Sequence, residues 1–295
     1  MISGFTIVRN AKLLDYPFKE SVRSLLQICD EVVINCGDSS DGTLGLCLEL
    51  GRESSGRIRI IQSVWSKENQ AGGFQLKHQS DKALAECTGD WCIYLQADEV
   101  LHESDNTKIL SAIAGASADP KVDGILFDYL HFYGNYAHQI SGRNWYRREV
   151  RAFKNHRGIE SYRDAQGFRK NGEKLLVKRS SARVFHYGYV RTSESLQKKS
   201  KEMGQWWGNT PDPRVEDYAL HRHVGLRRFA KSHPRVMVDR LARNAEYVDP
   251  SQCTRKWDRN EIKNAVTFLW ESIVPIRLGE FTNYELARKA KPSRS

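Results

Sequence analysis

Trp91-Cys92-Ile93-Tyr94-Leu95-Gln96-Ala97-Asp98-Glu99 runs from five apolar residues into a polar end closed by two acids. The apolar run is short and bounded by Gly89-Asp90, so it reads as a buried strand. Two adjacent carboxylates behind such a strand are costly to bury unless a partner compensates them. Side chains alternate along a strand, so Asp98 and Glu99 are expected to face opposite ways, with only one turned toward a ligand. Hard cations such as Mg²⁺ and Mn²⁺ seek carboxylate oxygens and commonly complete their shells with phosphates. The plain alternative is an exposed turn.

Working outward, Leu76, Ala83, Leu84 and Cys87 mark a helix that stops at Gly89. Further back, Phe5-Thr6-Ile7-Val8, Glu31-Val32-Val33-Ile34 and Arg57-Ile58-Arg59-Ile60-Ile61 read as strands. Between the first two, Phe18, Val22, Leu25, Leu26 and Cys29 form the stripe of an amphipathic helix. Alternating strands and helices predict an α/β fold with a mostly parallel sheet and helices on both faces. Ligands of such sheets bind at the carboxyl ends of strands, where the polar clusters after Ile34 and Leu95 fall. From Gly124 the texture changes: a strand-like run, then a polar, aromatic and basic stretch to Arg169, closed by Val184-Phe185-His186-Tyr187-Gly188-Tyr189-Val190-Arg191. Beyond Ser193 the pattern is helical and charged, interrupted at Pro211, Pro213, Pro234, Pro250 and Pro275, which predicts an appendage of short helices.

Composition bounds the possibilities. The 295 residues are 40% hydrophobic and 28% charged, a globular balance that excludes disordered and collagen-like classes. No apolar run approaches the ~18 residues of a membrane span. The N-terminal residues lack the basic stretch and long apolar core of a signal peptide, so the expected location is cytoplasmic. The 6 cysteines form no Cys-x-x-Cys pair and read as small buried hydrophobes. Net charge is +10, and residues 220–295 hold 16 Lys+Arg against 8 Asp+Glu. A field of that sign favours an anionic partner, such as nucleic acid, an acidic membrane surface or a phosphorylated ligand; a solvated basic surface is the alternative.

Other segments offer chemistry with a plainer reading beside each. Asp38-Ser39-Ser40-Asp41-Gly42-Thr43 carries groups for a base and ribose, or simply caps a helix. His186 suits Mn²⁺ and Arg191 a diphosphate. Arg143-Asn144-Trp145-Tyr146-Arg147-Arg148-Glu149-Val150-Arg151 could grip phosphate and stack on a base or sugar, or form a solvated face. His221, His223 and His233 read as surface. The chain lacks Gly-x-x-x-x-Gly-Lys-Ser/Thr, a strand-following Gly-x-Gly-x-x-Gly and Gly-x-Ser-x-Gly, which argues against P-loop, dinucleotide and serine-hydrolase chemistry.

Four segments in order resemble the GT-A glycosyltransferases, in particular the broad glycosyltransferase family 2 and a bacterial branch of it. They are Thr6-Ile7-Val8-Arg9-Asn10; the stretch from Asp30 through Ile34 to Thr43; Ala83-Leu84 through Gly89-Asp90-Trp91; and Leu95-Gln96-Ala97-Asp98-Glu99. The likeness covers roughly residues 3–191. It implies a glycosyltransferase domain over 1–193, with a nucleotide-sugar half of about 1–100 and an acceptor half of about 101–193, followed by a basic helical region, 194–295.

The resemblance also implies sugar transfer from a nucleotide-diphosphate donor to a glycan or lipid-linked hydroxyl, usually with inversion. Val8, Arg9 and Asp38 would line the nucleoside pocket, Asp81 and Lys82 would lie near the donor, and Arg191 would hold diphosphate. Asp98 and His186 would bind Mn²⁺ or Mg²⁺. Gln96 stands where the family's Asp-x-Asp motif has its first acid; an amide can bond a ribose but gives a cation less charge. Displacement needs a base for the acceptor hydroxyl. Asp164, beside Arg163 and Gln166, is the first candidate, with Glu160, Asp128 and His131 as rivals. A nucleic-acid-binding module would use the basic C-terminal region but leaves the strand-end acids without a purpose. A sugar-phosphate nucleotidyltransferase needs a glycine-rich basic loop after the first strand, for which Arg9-Asn10-Ala11-Lys12 is a poor candidate. Basic helices could also draw the chain to anionic membrane lipid.

Overall fold

The computed structural model describes residues 1–66, 71–206, 220–274, 277 and 280–287. Pro211, Pro213 and Pro275 and the basic end of the chain, 288–295, lie outside them. In order come β1 (Ile2–Val8), α1 (Phe18–Leu25), β2 (Glu31–Gly37), α2 (Thr43–Glu53), β3 (Ile58–Ser63), α3 (Phe74–Ala85), β4 (Trp91–Tyr94), β5 (Glu99–Leu101) and α4 (Asn106–Ser117). The second half holds β6 (Gly124–Tyr133), β7 (Asn135–Ile140), β8 (Arg148–Lys154), β9 (Ile159–Tyr162), β10 (Gly167–Lys170) and β11 (Glu173–Tyr189). It continues with α5 (Ser193–Trp206), β12 (Leu226–Arg228), α6 (Val238–Ala242), α7 (Arg259–Ile273) and β13 (Tyr284–Leu286).

The fold is α/β, with one mixed sheet in the order β3-β2-β1-β4-β8-β6-β11-β10-β9. Its first four strands are parallel, as the strand–helix alternation predicts. Past β4 the pairing turns largely antiparallel, because β8 runs against both β4 and β6. The exception at the centre is the long β11, parallel to β6, with His131 level with His186.

Alternation along the strands builds a core on each face. Val32 and Ile34 join Phe18, Val22 and Leu25 of α1 and Ile109 and Ile113 of α4. Phe5, Ile7 and Val33 turn the other way, to Ala83 and Leu84 of α3. Five cysteines are buried in these layers and all six are free thiols, as their apolar settings predict. The C-terminal region supplies helices and also returns two strands: β12 pairs with β7, and β13 with β11.

Candidate active site

Strands β1 and β4 lie side by side and parallel. At their carboxyl ends is a cleft. Val8 and Arg9 from the end of β1 line it, with Gln96 and Asp98 from the turn after β4 and Asp164 from the β9–β10 loop. Lys199, Glu202 and Trp206 of α5 line it too.

The two acids of the strand end do different work. Glu99 is fully buried and takes a bidentate pair from Arg151, Nε to Oε2 and Nη2 to Oε1, both at 2.8 Å. Its carboxylate also accepts the Tyr129 hydroxyl at 2.7 Å and the Gln96 N–H at 3.1 Å. Asp98 lines the cleft, so the two acids do face different ways, but from a turn between β4 and β5 and not by alternation along one strand. Its Oδ2 accepts from Lys199 Nζ at 2.9 Å and Arg191 Nη2 at 3.1 Å. Its Oδ1 lies 3.7 Å from His186 Nε2. Burial opposes ionisation of Asp98, but the charges of Lys199 and Arg191 and the hydrogen bond from Lys199 outweigh it and hold the carboxyl below its usual range. Burial lowers Lys199 to about 8 and His186 to about 4, so at neutral pH the imidazole is uncharged and Lys199 is largely protonated.

Gly188 makes this crowding possible. A Cβ there would come within 2.6 Å of both His186 Cε1 and Nε2 and 3.3 Å of Asp98 Oδ2. Arg191 is fully buried behind the acid, donating to the Gly188 carbonyl at 3.0 Å and to Leu14 O, with its guanidinium 4.2 Å from the Tyr16 ring centroid. It orients Asp98 from behind and does not itself line the cleft.

Arg9 lies beside the edge-to-face pair of Trp65 and Trp206, 5.9 and 5.4 Å from their ring centroids. It pairs with Asp38 at 3.1 Å and with Glu202. Asp38 also accepts the Trp65 N–H at 3.2 Å, so this exposed acid fixes two residues of the cleft wall. The rest of its loop braces the segment after β1. Ser39 accepts the Asn10 N–H, Asp41 the Leu13 N–H and Thr43 the Ala11 N–H. Among the described residues, the buried indole N–H groups of Trp65 and Trp206 have no protein partner.

Asp164 projects from a strained turn: its neighbours Arg163 and Ala165 have φ of 54° and 61°, left-handed values uncommon for residues other than glycine. Gly73 admits the turn, since a Cβ there would lie 2.8 Å from Asp164 Cβ. Burial raises the Asp164 carboxyl above its ordinary value.

Several expected residues are not brought to this cleft. Asp81 takes the Ser161 N–H at 2.7 Å and Lys77 at 2.7 Å, and lines a separate cleft with Glu160. Lys82, on α3, is exposed. The neighbouring turn of α3 packs Ala83 and Leu84 onto the sheet, which carries both polar residues away from the strand ends. Glu160 is bound to Lys77, and Asp128 to Arg148 and Arg179. His131 sits behind His186. In the basic aromatic stretch, Arg147 pairs with Glu280, Arg148 with Asp128 and Arg151 with Glu99, so only Arg143 is left exposed. His233 is not a surface residue. It meets the Tyr187 hydroxyl at 2.8 Å and the Tyr136 carbonyl at 3.0 Å. His223 pairs with Glu261 at 3.2 Å.

The resemblance implies a divalent cation, and the donors can be tested against one. No cluster of three or more His, Cys, Asp or Glu side chains with metal-site geometry occurs among the described residues. The protein offers one carboxylate oxygen, Asp98 Oδ1, and one imidazole nitrogen, His186 Nε2. Mg²⁺ is usually held by one or two carboxylates with phosphates and waters completing the shell. The pair therefore fits a cation that shares a diphosphate ligand.

No protein-family model matches the sequence, and no curated protein matches it. Among solved structures the chain is similar to S. aureus TarS 1–349 in complex with UDP (13% identity over 73% of this chain and 68% of that one, TM-score 0.43). It is also similar to the Pyrobaculum calidifontis mannosyltransferase PcManGT in complex with GDP-Man and Mn²⁺ (14%, 74% and 69%, TM-score 0.42). A third likeness, to TarS 1–349 in complex with UDP-GlcNAc, has 20% identity over 45% of this chain and a TM-score of 0.35. The match spans only 35% of that chain and 39% of a further TarS structure. At these TM-scores no activity or ligand passes to this chain. No described helix is long and apolar enough to cross a membrane.

Proposed function

We propose that the chain is a GT-A glycosyltransferase that moves a sugar from a nucleotide-diphosphate donor to a hydroxyl of a glycan or lipid-linked acceptor, with inversion. One observation carries the reading: Arg9, Asp98, Lys199 and Asp164 line a single cleft at the carboxyl ends of β1 and β4. The cations suit a diphosphate, and the Trp65 and Trp206 rings that line the same cleft suit a base or ribose.

In the reaction the acceptor oxygen bonds to the anomeric carbon as the bond from that carbon to the diphosphate oxygen breaks. The bonding pair leaves with the diphosphate and the hydroxyl proton passes to Asp164. Its raised carboxyl makes it a better proton acceptor than an exposed aspartate. Lys199 and Arg9 offset charge on the leaving group, held by Asp98 and Asp38 in turn. Mg²⁺ or Mn²⁺ bound by Asp98 and His186 would add positive charge at the same place.

A membrane-borne acceptor agrees with α7. Ile262, Val266, Trp270 and Ile273 are exposed along one helix, with Arg259 and Lys263 exposed beside them, the make-up of a helix that lies on an anionic lipid surface. The basic chain is expected to pellet with anionic liposomes at low salt and to remain in solution with neutral ones. Equal recovery with both removes the membrane from the reading.

Melting the protein with UDP, GDP and other nucleoside diphosphates, with Mn²⁺ present, tests the main reading. A ligand at a hundred times its Kd should add about 2.7 kcal/mol. Stabilisation by oligonucleotides alone defeats it. With the donor identified, Asp164→Asn should lower transfer at least ~100-fold while nucleotide affinity stays within about threefold.

A further inference from the structure

His131 lies in the next strand, level with His186, and their Nδ1 atoms are 2.9 Å apart. The other nitrogen of His131, Nε2, is 2.7 Å from the Tyr146 carbonyl oxygen. A carbonyl can only accept, so His131 Nε2 carries the hydrogen. His131 is buried and pairs with no carboxylate among the described residues, so nothing there would compensate a charged ring and it is held neutral. His131 Nδ1 is then a lone pair, and His186 Nδ1 must donate to it. The remaining nitrogen, His186 Nε2, is the one left to ligate a cation, and it is the atom 3.7 Å from Asp98 Oδ1.

Lys199 and Arg191 both donate to Asp98 Oδ2, so Oδ1 is the oxygen turned toward His186 Nε2. The His131 ring has little freedom to turn, being 3% exposed and set against Tyr129, Trp145 and Tyr146 at centroid distances of 5.5, 5.1 and 4.7 Å.

We propose that His131 is a positioning residue for a divalent cation. Through the series Tyr146 carbonyl, His131, His186, it fixes His186 as the Nδ1–H tautomer and presents Nε2 with Asp98 Oδ1 as a two-donor site. This rests on the glycosyltransferase reading for the diphosphate that completes the shell. It assigns His131 a role distinct from the general base for which the sequence made it a candidate.

Nitrogen-15 NMR of the metal-free protein at neutral pH, with His186 assigned by loss of its signals in His186→Gln, should show Nδ1 protonated and Nε2 bare. The reverse tautomer overturns the proposal. Mn²⁺ uptake, followed by electron paramagnetic resonance with the nucleoside diphosphate that raises the melting temperature, should weaken about 10–100-fold in His131→Phe. His131→Gln, whose side-chain oxygen can accept from His186, should recover to within about threefold of the parent. Unchanged Mn²⁺ affinity in a folded His131→Phe, or nucleotide binding that Mn²⁺ does not alter, overturns the proposal and leaves the transferase reading standing. A protein that takes up neither Mn²⁺ nor any nucleoside diphosphate loses both.

Discussion

Glu99→Gln is the substitution whose cost can be worked most directly. Glu99 and Arg151 are both 0% exposed and meet through two 2.8 Å bonds. Near 4 Å and at an effective dielectric of 20, opposite unit charges attract by about 4 kcal/mol. Removing one charge leaves the other buried with its desolvation uncompensated, and such breaks cost about 3–5 kcal/mol. For a chain of this size, at roughly 2 °C per kcal/mol, the melting temperature should fall by about 6–10 °C. Calorimetry and urea unfolding both read this. Adding Arg151→Met should recover a large part of the loss, because a pair removed together leaves no orphaned charge. A drop below about 1 kcal/mol, or no recovery in the double variant, refutes the view that this pair is a closed electrostatic unit holding the turn that carries Asp98.

Burial raises the Glu149 carboxyl to about 7, so the folded chain keeps a proton that the unfolded chain releases above its ordinary range. Stability should therefore fall as pH rises from about 4.5 to 7, by up to about 3 kcal/mol; Glu149→Gln should flatten that slope and be the more stable form at pH 8, as seen by melting across pH. Gly188→Ala should cost about 1–3 kcal/mol and displace His186, read as a lower melting temperature together with weaker Mn²⁺-dependent nucleotide binding. Glu202 holds Arg9 and reaches Asn10 at 3.3 Å; Glu202→Gln should free the guanidinium for phosphate and tighten nucleoside diphosphate binding by roughly fivefold, about 1 kcal/mol, by titration calorimetry.

The first four strands were legible because their signals are local. Apolar runs such as Val32-Val33-Ile34, broken by polar turns and separated by a 3.6-period stripe, admit little besides a parallel sheet. Asp98 and Glu99 were legible as a pair of acids with divided duties, but the reason differs from the expected alternation: Asp98 sits in the turn between β4 and β5, and only Glu99 is on a strand. What escaped was long-range. The parallel β6–β11 pairing that sets His131 beside His186 joins residues 55 apart. Asp81 and Lys82 failed for a related reason: the pattern places them on a helix, but only the packed face of α3 says which way they point. Lys199, Glu202 and Trp206 were set aside with the basic C-terminal region. Their spacing nevertheless puts them on one face of a helix, a signal that was there to be read.

The placement of α5 explains why the charged side chains of the cleft form a chain of neutralised pairs. Asp98 alone behind a buried strand would be costly; Arg191 behind it and Lys199 from α5 offset that cost through one of its two oxygens. Arg9 at the end of β1 is balanced in the same way, by Asp38 from the neighbouring strand end and Glu202 from α5. Each charged group from the parallel sheet thus has one partner from the sheet side and one from the helix. On the transferase reading, a diphosphate arriving in the cleft would exchange partners instead of meeting bare charges: it would take Arg9 from Glu202 and share Lys199 with Asp98. Its affinity would then depend on where α5 sits, and the helix following β11 would belong with the cleft even though its sequence reads as the start of an appendage.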